Sequence, residues 1–255
     1  MRILVLTFLL AIALPFSVQA QEADRQYETG YSDPIEGVNR GIFTFNSVVD
    51  EYVFDPIISG YRFAVPREGR QAITNFLRNL KTPVNLANQL LQGDLNGAGV
   101  TLFRFVTNTL TGFGGFLDNA GREGWAYERE DLGQTLAVWG VGDGPYVVIP
   151  FFGTASLRDA VGYGLDSFMD PINYIDDDGV RYAYNGTLFM EQKNQLFDVS
   201  NDFRANSLDP YSAMKSAVYQ NRQAEIADRN THNKKRTETI SESNAFAIPD
   251  YDGDF

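Results

Sequence analysis

The chain of 255 residues has no cysteine, a single histidine, and fewer positive than negative charges: 21 Lys and Arg against 33 Asp and Glu, a formal charge of −12. Without thiols there is no disulfide, no thiolate metal site, no cysteine nucleophile and no acyl chain attached through cysteine. Packing or partners must hold the fold. The acidic balance excludes the basic footprint that neutralises nucleic-acid phosphates, so no nucleic-acid partner is expected. It also excludes adhesion to anionic lipid through a polybasic patch. The one histidine, His232, lies in a polar C-terminal stretch, away from the rigid cleft a general base needs. There is no Gly-x-Ser-x-Gly turn, no His-Glu-x-x-His helix and no phosphate-binding loop. Nothing here reads as an enzyme, no cofactor is expected, and no repeat of fixed period is visible.

Long apolar runs are also scarce. The main one is Ile3 to Phe16, preceded by Arg2 and followed by small residues ending at Ala20. That layout predicts a cleavable export signal over residues 1–20, too short for a comfortable membrane span of about 20 apolar residues. Residues 21–32 are polar and read as a flexible lead-in. Residues 33–230 read as one helical domain, and residues 231–255, polar and acidic with little periodicity, as a disordered tail.

What the central part does contain is helix punctuation. Asp33-Pro34 reads as a cap with proline in the first turn, ahead of Val38, Ile42, Phe45 and Val49 at helical spacing. Asp55-Pro56, Pro66, Thr82-Pro83, Ser156 and Asp209-Pro210 open further helices, and Gly93 closes one. The strand-like run Pro145 to Phe152 contains two prolines, which predicts an extended, buried segment rather than a central strand. The class expected is all-α, without a substantial sheet.

Several short motifs invite chemistry and do not sustain it. Gly140, Gly142 and Gly144 follow a helix and enter an extended run, the wrong context for a nucleotide fingerprint. Asp176-Asp-Asp-Gly179 lacks the alternate ligand spacing of a calcium loop and reads as a solvated turn. Glu128, Glu130 and Asp131 have no companion site and read as solvated charge.

The informative stretch is Asn96 to Gly124. On a helix from Ala98 to Thr111, the residues Thr101, Arg104, Asn108 and Thr111 form one narrow polar stripe, and almost everything else is apolar. An apolar, glycine-rich hairpin follows, built from Phe103, Phe105, Leu110, Phe113, Gly114, Gly115, Phe116 and Leu117. Exposed to water it would aggregate, so protein or lipid must cover it. Two readings stay open on wheel geometry. One is a central core helix with Arg104 in a buried ion pair; the other sets the apolar sides against acyl chains and the stripe along a wet passage.

Motifs in order then carry a resemblance. Asp33-Pro-Ile-Glu-Gly-Val-Asn-Arg40, Phe43-Thr-Phe-Asn46, Leu91-Gln-Gly-Asp94, Gly112-Phe-Gly-Gly-Phe-Leu-Asp118, Glu130-Asp-Leu-Gly-Gln-Thr-Leu136, Trp139-Gly-Val-Gly-Asp-Gly-Pro-Tyr146, Leu157-Arg-Asp159 and Asp209-Pro-Tyr211 are similar to the MlaA (VacJ) family of outer-membrane proteins. The resemblance runs from about Asp33 to Arg229. It implies a compact disc of helices in the inner leaflet of the outer membrane, on the periplasmic side, crossed by an amphipathic channel. Phospholipid astray in the outer leaflet would enter it and pass to a soluble periplasmic carrier, so maintaining lipid asymmetry. A trimeric porin is the implied membrane partner. Within this picture Thr101, Arg104, Asn108 and Thr111 are the expected polar lining of the channel. Many family members carry an acylated cysteine, which this sequence lacks. Two other classes remain alongside it, a soluble periplasmic lipid carrier and a porin-binding structural adaptor.

Overall fold

The computed structural model describes residues 30–244, with side chains up to residue 227. The expected signal at residues 1–20 and most of the lead-in lie outside the described residues. Helices dominate. A long first rod consists of α1 (Glu36–Val49), a π-helical stretch (Asp50–Phe54) and α2 (Asp55–Ala64). After Pro66 come α3 (Arg67–Leu80), α4 (Thr82–Leu91) and α5 (Leu95–Thr111). Then follow α6 (Asn119–Arg122), α7 (Leu132–Val138), strands β1 (Tyr146–Ile149) and β2 (Gly153–Ser156), and α8 (Leu157–Met169). A 3₁₀ turn (Pro171–Tyr174) leads to α9 (Asp178–Asn206) and α10 (Pro210–Asn244).

Side-chain caps mark the helix starts from α5 to α9. Asp94, Asp131, Ser156 and Asp177 each accept a backbone N–H three residues on, satisfying a donor that the first turn leaves unpaired. Asp177 therefore caps α9, so the acidic run beside it is a helix start. The expected Asp33-Pro34 cap does not form. α1 begins at Glu36 with Ile35 before it, and Asp33 instead accepts from Asn39 Nδ2 at 2.8 Å and from the Tyr211 hydroxyl. A carboxylate with long-range partners is tied to the tertiary structure, not to its own helix.

The run Pro145 to Phe152 is the first strand and the turn of a hairpin rather than one buried segment. β1 and β2 pair antiparallel, Tyr146 opposite Ser156 and Ile149 opposite Gly153, with Pro150 in the turn and Pro145 ahead of the strand. Neither proline interrupts the ladder, and the turn leaves Phe151 and Phe152 exposed. The end of the lead-in is also packed. Tyr31 is buried with Tyr146, Val148 and Tyr211, and Ser32 accepts from the Tyr146 N–H. At the other end no proline or glycine stops α10, and its backbone continues to Asn244, into the stretch whose composition predicts disorder. Residues 245–255 lie outside the described residues.

The interior is unusual in kind. Among the described residues, buried polar and charged side chains outnumber buried apolar ones by about two to one. Large apolar side chains face outward along α1, α2, α5 and α8, for example Val38, Phe45, Phe63, Leu110 and Phe168. Of the α1 apolar positions at helical spacing, Val38 and Phe45 are exposed and Ile42 and Val49 half-buried, while Asn39 and Asn46, two turns apart, are buried. Their amides complete the free edge of β1. Asn39 donates to Tyr146 O (2.9 Å) and accepts from Val148 N (3.1 Å). Asn46 donates to Ile149 O (3.0 Å) and accepts from Phe151 N (2.8 Å). α7 and α8 meet at Gly162, where a Cβ would lie 2.4 Å from the Gly133 nitrogen, a backbone atom that cannot move aside.

The Asn39→Leu substitution tests this edge-mimicking role. It leaves a buried carbonyl and a buried N–H of β1 unpaired, so stability is expected to fall by about 2–4 kcal/mol. Thermal or denaturant unfolding in detergent measures the loss, and an unchanged midpoint would show that the amide is dispensable.

Candidate functional site

The polar stripe lies on α5, the helix that approaches the glycine-rich turn. Thr101, Arg104 and Asn108 face inward and are buried, whereas Leu102, Phe103, Val106 and Leu110 are exposed. Arg104 grips Asp118 with Nη2 at 2.9 and 3.0 Å and donates through Nη1 to the Trp125 carbonyl. Asn108 donates to Asp118 Oδ1 (3.0 Å) and accepts from Ala120 N (3.0 Å). Burial pushes the Asp118 carboxyl upward, but the Gly121 N–H, Arg104 and Asn108 outweigh it and hold its pKa below the usual range. Arg104 is therefore in the buried ion pair that one of the two open readings required.

Thr101, Arg104, Asn108 and Phe105 border a small polar pocket with Asn79, Asn85 and Tyr127 among its walls, offering only about 20 Å³ to water-sized occupants. That is room for about one water. Thr111 stands outside this lining. It is exposed, its hydroxyl donating to Thr107 O (2.7 Å) and accepting from Asn119 (3.0 Å). The hairpin itself stands where its composition predicts. Leu110 and Phe113 are about four-fifths exposed, Phe116 stacks on Phe76 at 4.5 Å, Phe103 leans on Trp125 at 4.9 Å, and Leu117 is half-exposed. Gly114 and Gly115 both take positive φ; at Gly115 a Cβ would also strike the Asn79 side chain at 2.5 Å. Asn79 holds the turn by donating to Gly114 O at 3.1 Å.

A second space is much larger, about 630 Å³, bounded by α1, the π-helical stretch, α2, the β-hairpin, α8, α9 and α10. Its walls are of two kinds. Phe43, Phe54, Ile58, Phe152, Leu196 and Phe197 supply apolar surface, while Asp50, Asp131, Asp159, Lys193 and Arg222 supply charge. The π-helical turn carries this wall in part: Lys193 pairs with Asp50 at 2.6 Å, and Arg204 pairs with Asp55. Across the space Arg222, 8% exposed, joins three elements by holding Asp131 (2.9 Å), Asp159 (3.0 Å) and Glu225 (2.9 Å).

Asp131 corrects an expectation, because it is not solvated charge. It caps α7 and its carboxyl is largely enclosed by Arg222 and Arg129. None of the charged residues of this cavity was legible as a site. They come from helices scattered along the chain, and each alone looks like an ordinary surface charge. The one signal available was the aromatic spacing of α1 and the π-helical stretch, Phe43 and Phe54, interleaved with Asn46 and Asp50. No His/Cys/Asp/Glu group suited to a metal occurs among the described residues.

Two outcomes follow from this geometry. Replacing Arg104 by Leu strands Asp118 and frees the Trp125 carbonyl; a loss of about 3 kcal/mol and faster proteolysis within 112–125 are expected, measured by limited digestion. The second concerns acid. Burial raises the Asp131 carboxyl, but the Arg222 hydrogen bonds and charge bring it down to about 2. A depressed carboxylate stabilises the fold above its unfolded pKa and ceases to as pH falls through the folded one. The stability gap between wild type and Arg222→Gln should thus narrow as pH falls from about 4 to about 2 in equilibrium unfolding.

Known proteins match this geometry over most of its length. The family model described as "MlaA lipoprotein" matches residues 31–225. The intermembrane phospholipid transport system lipoprotein MlaA of Escherichia coli (strain K12) is 36% identical over 199 residues, 76% of this chain and 78% of that protein. The protein of the same name from Haemophilus influenzae is 29% identical over 229 residues, 88% of this chain and 90% of its own length. A solved structure described as the structural basis for maintenance of bacterial outer membrane lipid asymmetry superposes with a TM-score of 0.67 at 35% identity, covering 76% of this chain and 99% of that one. The sequence resemblance and the all-α architecture with its small hairpin agree with these matches, and the chain belongs to the MlaA lipoprotein family.

Proposed function

We propose that this chain is a phospholipid-transport component of the outer membrane, drawing mislocalised phospholipid from the outer leaflet and releasing it on the periplasmic side, and that the lipid passes through the large cavity. The observation that carries the reading is the combination of an apolar exterior with an amphipathic interior space of about 630 Å³. Bringing a two-chain phospholipid into water exposes some thirty methylenes at about 0.8 kcal/mol each, roughly 25 kcal/mol. A cavity with aromatic walls for chains and a charged wall for the headgroup lowers that barrier without making or breaking a bond. The reading is thus transfer, not catalysis.

No described helix is long and apolar enough to cross a membrane. Outward-facing Phe45, Phe63, Leu110, Phe113 and Phe168 instead suit insertion into one leaflet. This apolar surface, together with contact to a trimeric porin, would hold the protein at the membrane. A soluble periplasmic carrier is the receiving partner the reading requires, since the lipid must not enter water. Export would depend on the apolar N-terminal segment acting as a cleaved signal.

The polar stripe receives a different part. A pocket of water size does not admit a headgroup, so Thr101, Arg104 and Asn108 are assigned to fastening the hairpin against α5, with Thr111 and Asn119 closing its outer side. The hairpin's exposed Leu110 and Phe113 then meet acyl chains at the entry.

Plugging the cavity tests the route. Ala160 and Ala217 are small lining residues on α8 and α10. In a deletion strain, Ala160→Trp and Ala217→Trp are expected to leave outer-leaflet phospholipid near the deletion level, while wild type restores asymmetry. Full restoration by plugged variants that reach the outer membrane at normal abundance would place the route elsewhere.

A further inference from the structure

The charge around the large cavity is lopsided in a way that lipid transfer as such does not require. Six carboxylates border it: Asp50, Asp55, Asp131, Asp159, Asp166 and Glu225. Three cations do: Arg129, Lys193 and Arg222. Two of the three cations are fully engaged. Lys193 Nζ is 2.6 Å from Asp50. Arg222 is divided among Asp131, Asp159 and Glu225, and its remaining donor, Nε, is sealed from solvent. Arg129 is the exception, 64% exposed and in a single loose contact with Asp131 at 3.5 Å. Behind the lining, Arg204 meets Asp55, and Arg158 meets both Asp159 and Asp143. Even with that second layer included, seven carboxylates face five cations.

Asp166 is the carboxylate left over. It is 6% exposed, accepts from Asn88 Nδ2 at 2.9 Å and from Leu132 N at 3.0 Å, and forms no ion pair among the described residues; Lys81, which acts on it from a distance, is itself paired with Asp170 at 3.0 Å. Burial raises its pKa despite those donors. A buried carboxylate without a cation is costly, and a cation arriving from the cavity relieves the cost. Tyr163 lines the same wall, within electrostatic reach of Arg129 as well as Asp166, and adds an aromatic face that an ammonium group can use.

We propose that this cavity selects lipid headgroups by charge, accepting zwitterionic headgroups that end in an ammonium and disfavouring headgroups that are anionic overall. The proposal rests on the transport reading above and adds to it the class of lipid. A phosphate entering alone meets six carboxylates and, among the three cations, only Arg129 with donors to spare. A phosphate that brings its own ammonium supplies the missing counter-charge, with Asp166 and Tyr163 as its nearest partners.

The test uses the full chain purified in mild detergent and incubated with vesicles equimolar in phosphatidylethanolamine and phosphatidylglycerol of identical acyl chains. Protein is re-isolated and its bound headgroups are counted by mass spectrometry. Retention of the ethanolamine lipid is expected to exceed that of the glycerol lipid about five-fold at low ionic strength, and the ratio to fall with added salt. Asp166→Asn is expected to reduce the preference, and Asp50→Asn, which releases Lys193, to move it toward the anionic lipid. Equal retention, or a preference for phosphatidylglycerol, overturns the headgroup proposal and leaves the transport reading standing. No retained phospholipid of either kind overturns both. Should Asp166→Asn fail to fold, the wild-type ratio and the Asp50→Asn shift decide the matter.

Discussion

The constraint on which the rest depends is that the apolar side chains of this bundle point outward, so its interior must be held by hydrogen bonds. Buried polar groups are tolerated only when paired, and asparagine does much of the pairing here because its amide offers a donor and an acceptor side by side. Asn39 and Asn46 stand in for a neighbouring strand along β1. Asn85 does the same for the segment ahead of α7, reaching Glu128 O and Glu130 N, and Asn108 for the start of α6. Each of these side chains sits on a helix; Asn39, Asn46 and Asn85 bind irregular or extended backbone, and Asn108 binds Asp118 and the first turn of α6. The helices thus act as the frame, and loops are strung across it by amides.

This inversion makes sense of two spaces of opposite character. Where polar side chains close upon one another, as around Arg104, Asn108 and Asp118, almost no volume remains and the result is a fastening. Where ion pairs bridge widely separated helices, as Arg222 and Lys193 do, the walls are propped apart and a large amphipathic space persists. The π-helical turn belongs to the second arrangement, since it sets Asp50 and Asp55 toward the same wall as Phe43 and Ile58. An exterior suited to lipid, an interior suited to an amphiphile and a glycine-hinged apolar turn between them form one consistent device.

Much was legible because it is local. The start at Ser156, the stop at Gly93 and the proline starts at Pro56, Pro83 and Pro210 depend on neighbours within one turn, and the helices begin and end near them. The hairpin of residues 112–117 was readable for the same reason, as its glycines and phenylalanines leave few conformations. Asp33 was misread because its partners, Asn39, Tyr211 and Lys215, come from distant parts of the chain as well as the adjoining helix. Asp131 was misread as solvated because Arg222 lies 91 positions away in sequence.

The sequence by itself determined the helical class, the order of the elements, the apolar turn after α5 and the family. These follow from short-range backbone preferences and from motifs that survive as strings. Which side of each helix faces inward was decided only by tertiary structure. On α1 the periodicity of Val38, Ile42, Phe45 and Val49 defines a stripe, but a stripe carries no sign: it serves equally to pack a core or to meet lipid. The sign came from the partners of Asn39 and Asn46 in β1, more than a hundred residues on. The cavity likewise exists only where charges from the π-helical stretch, α2, the segment ahead of α7, α8, α9 and α10 meet, a coincidence in space that no window of sequence contains.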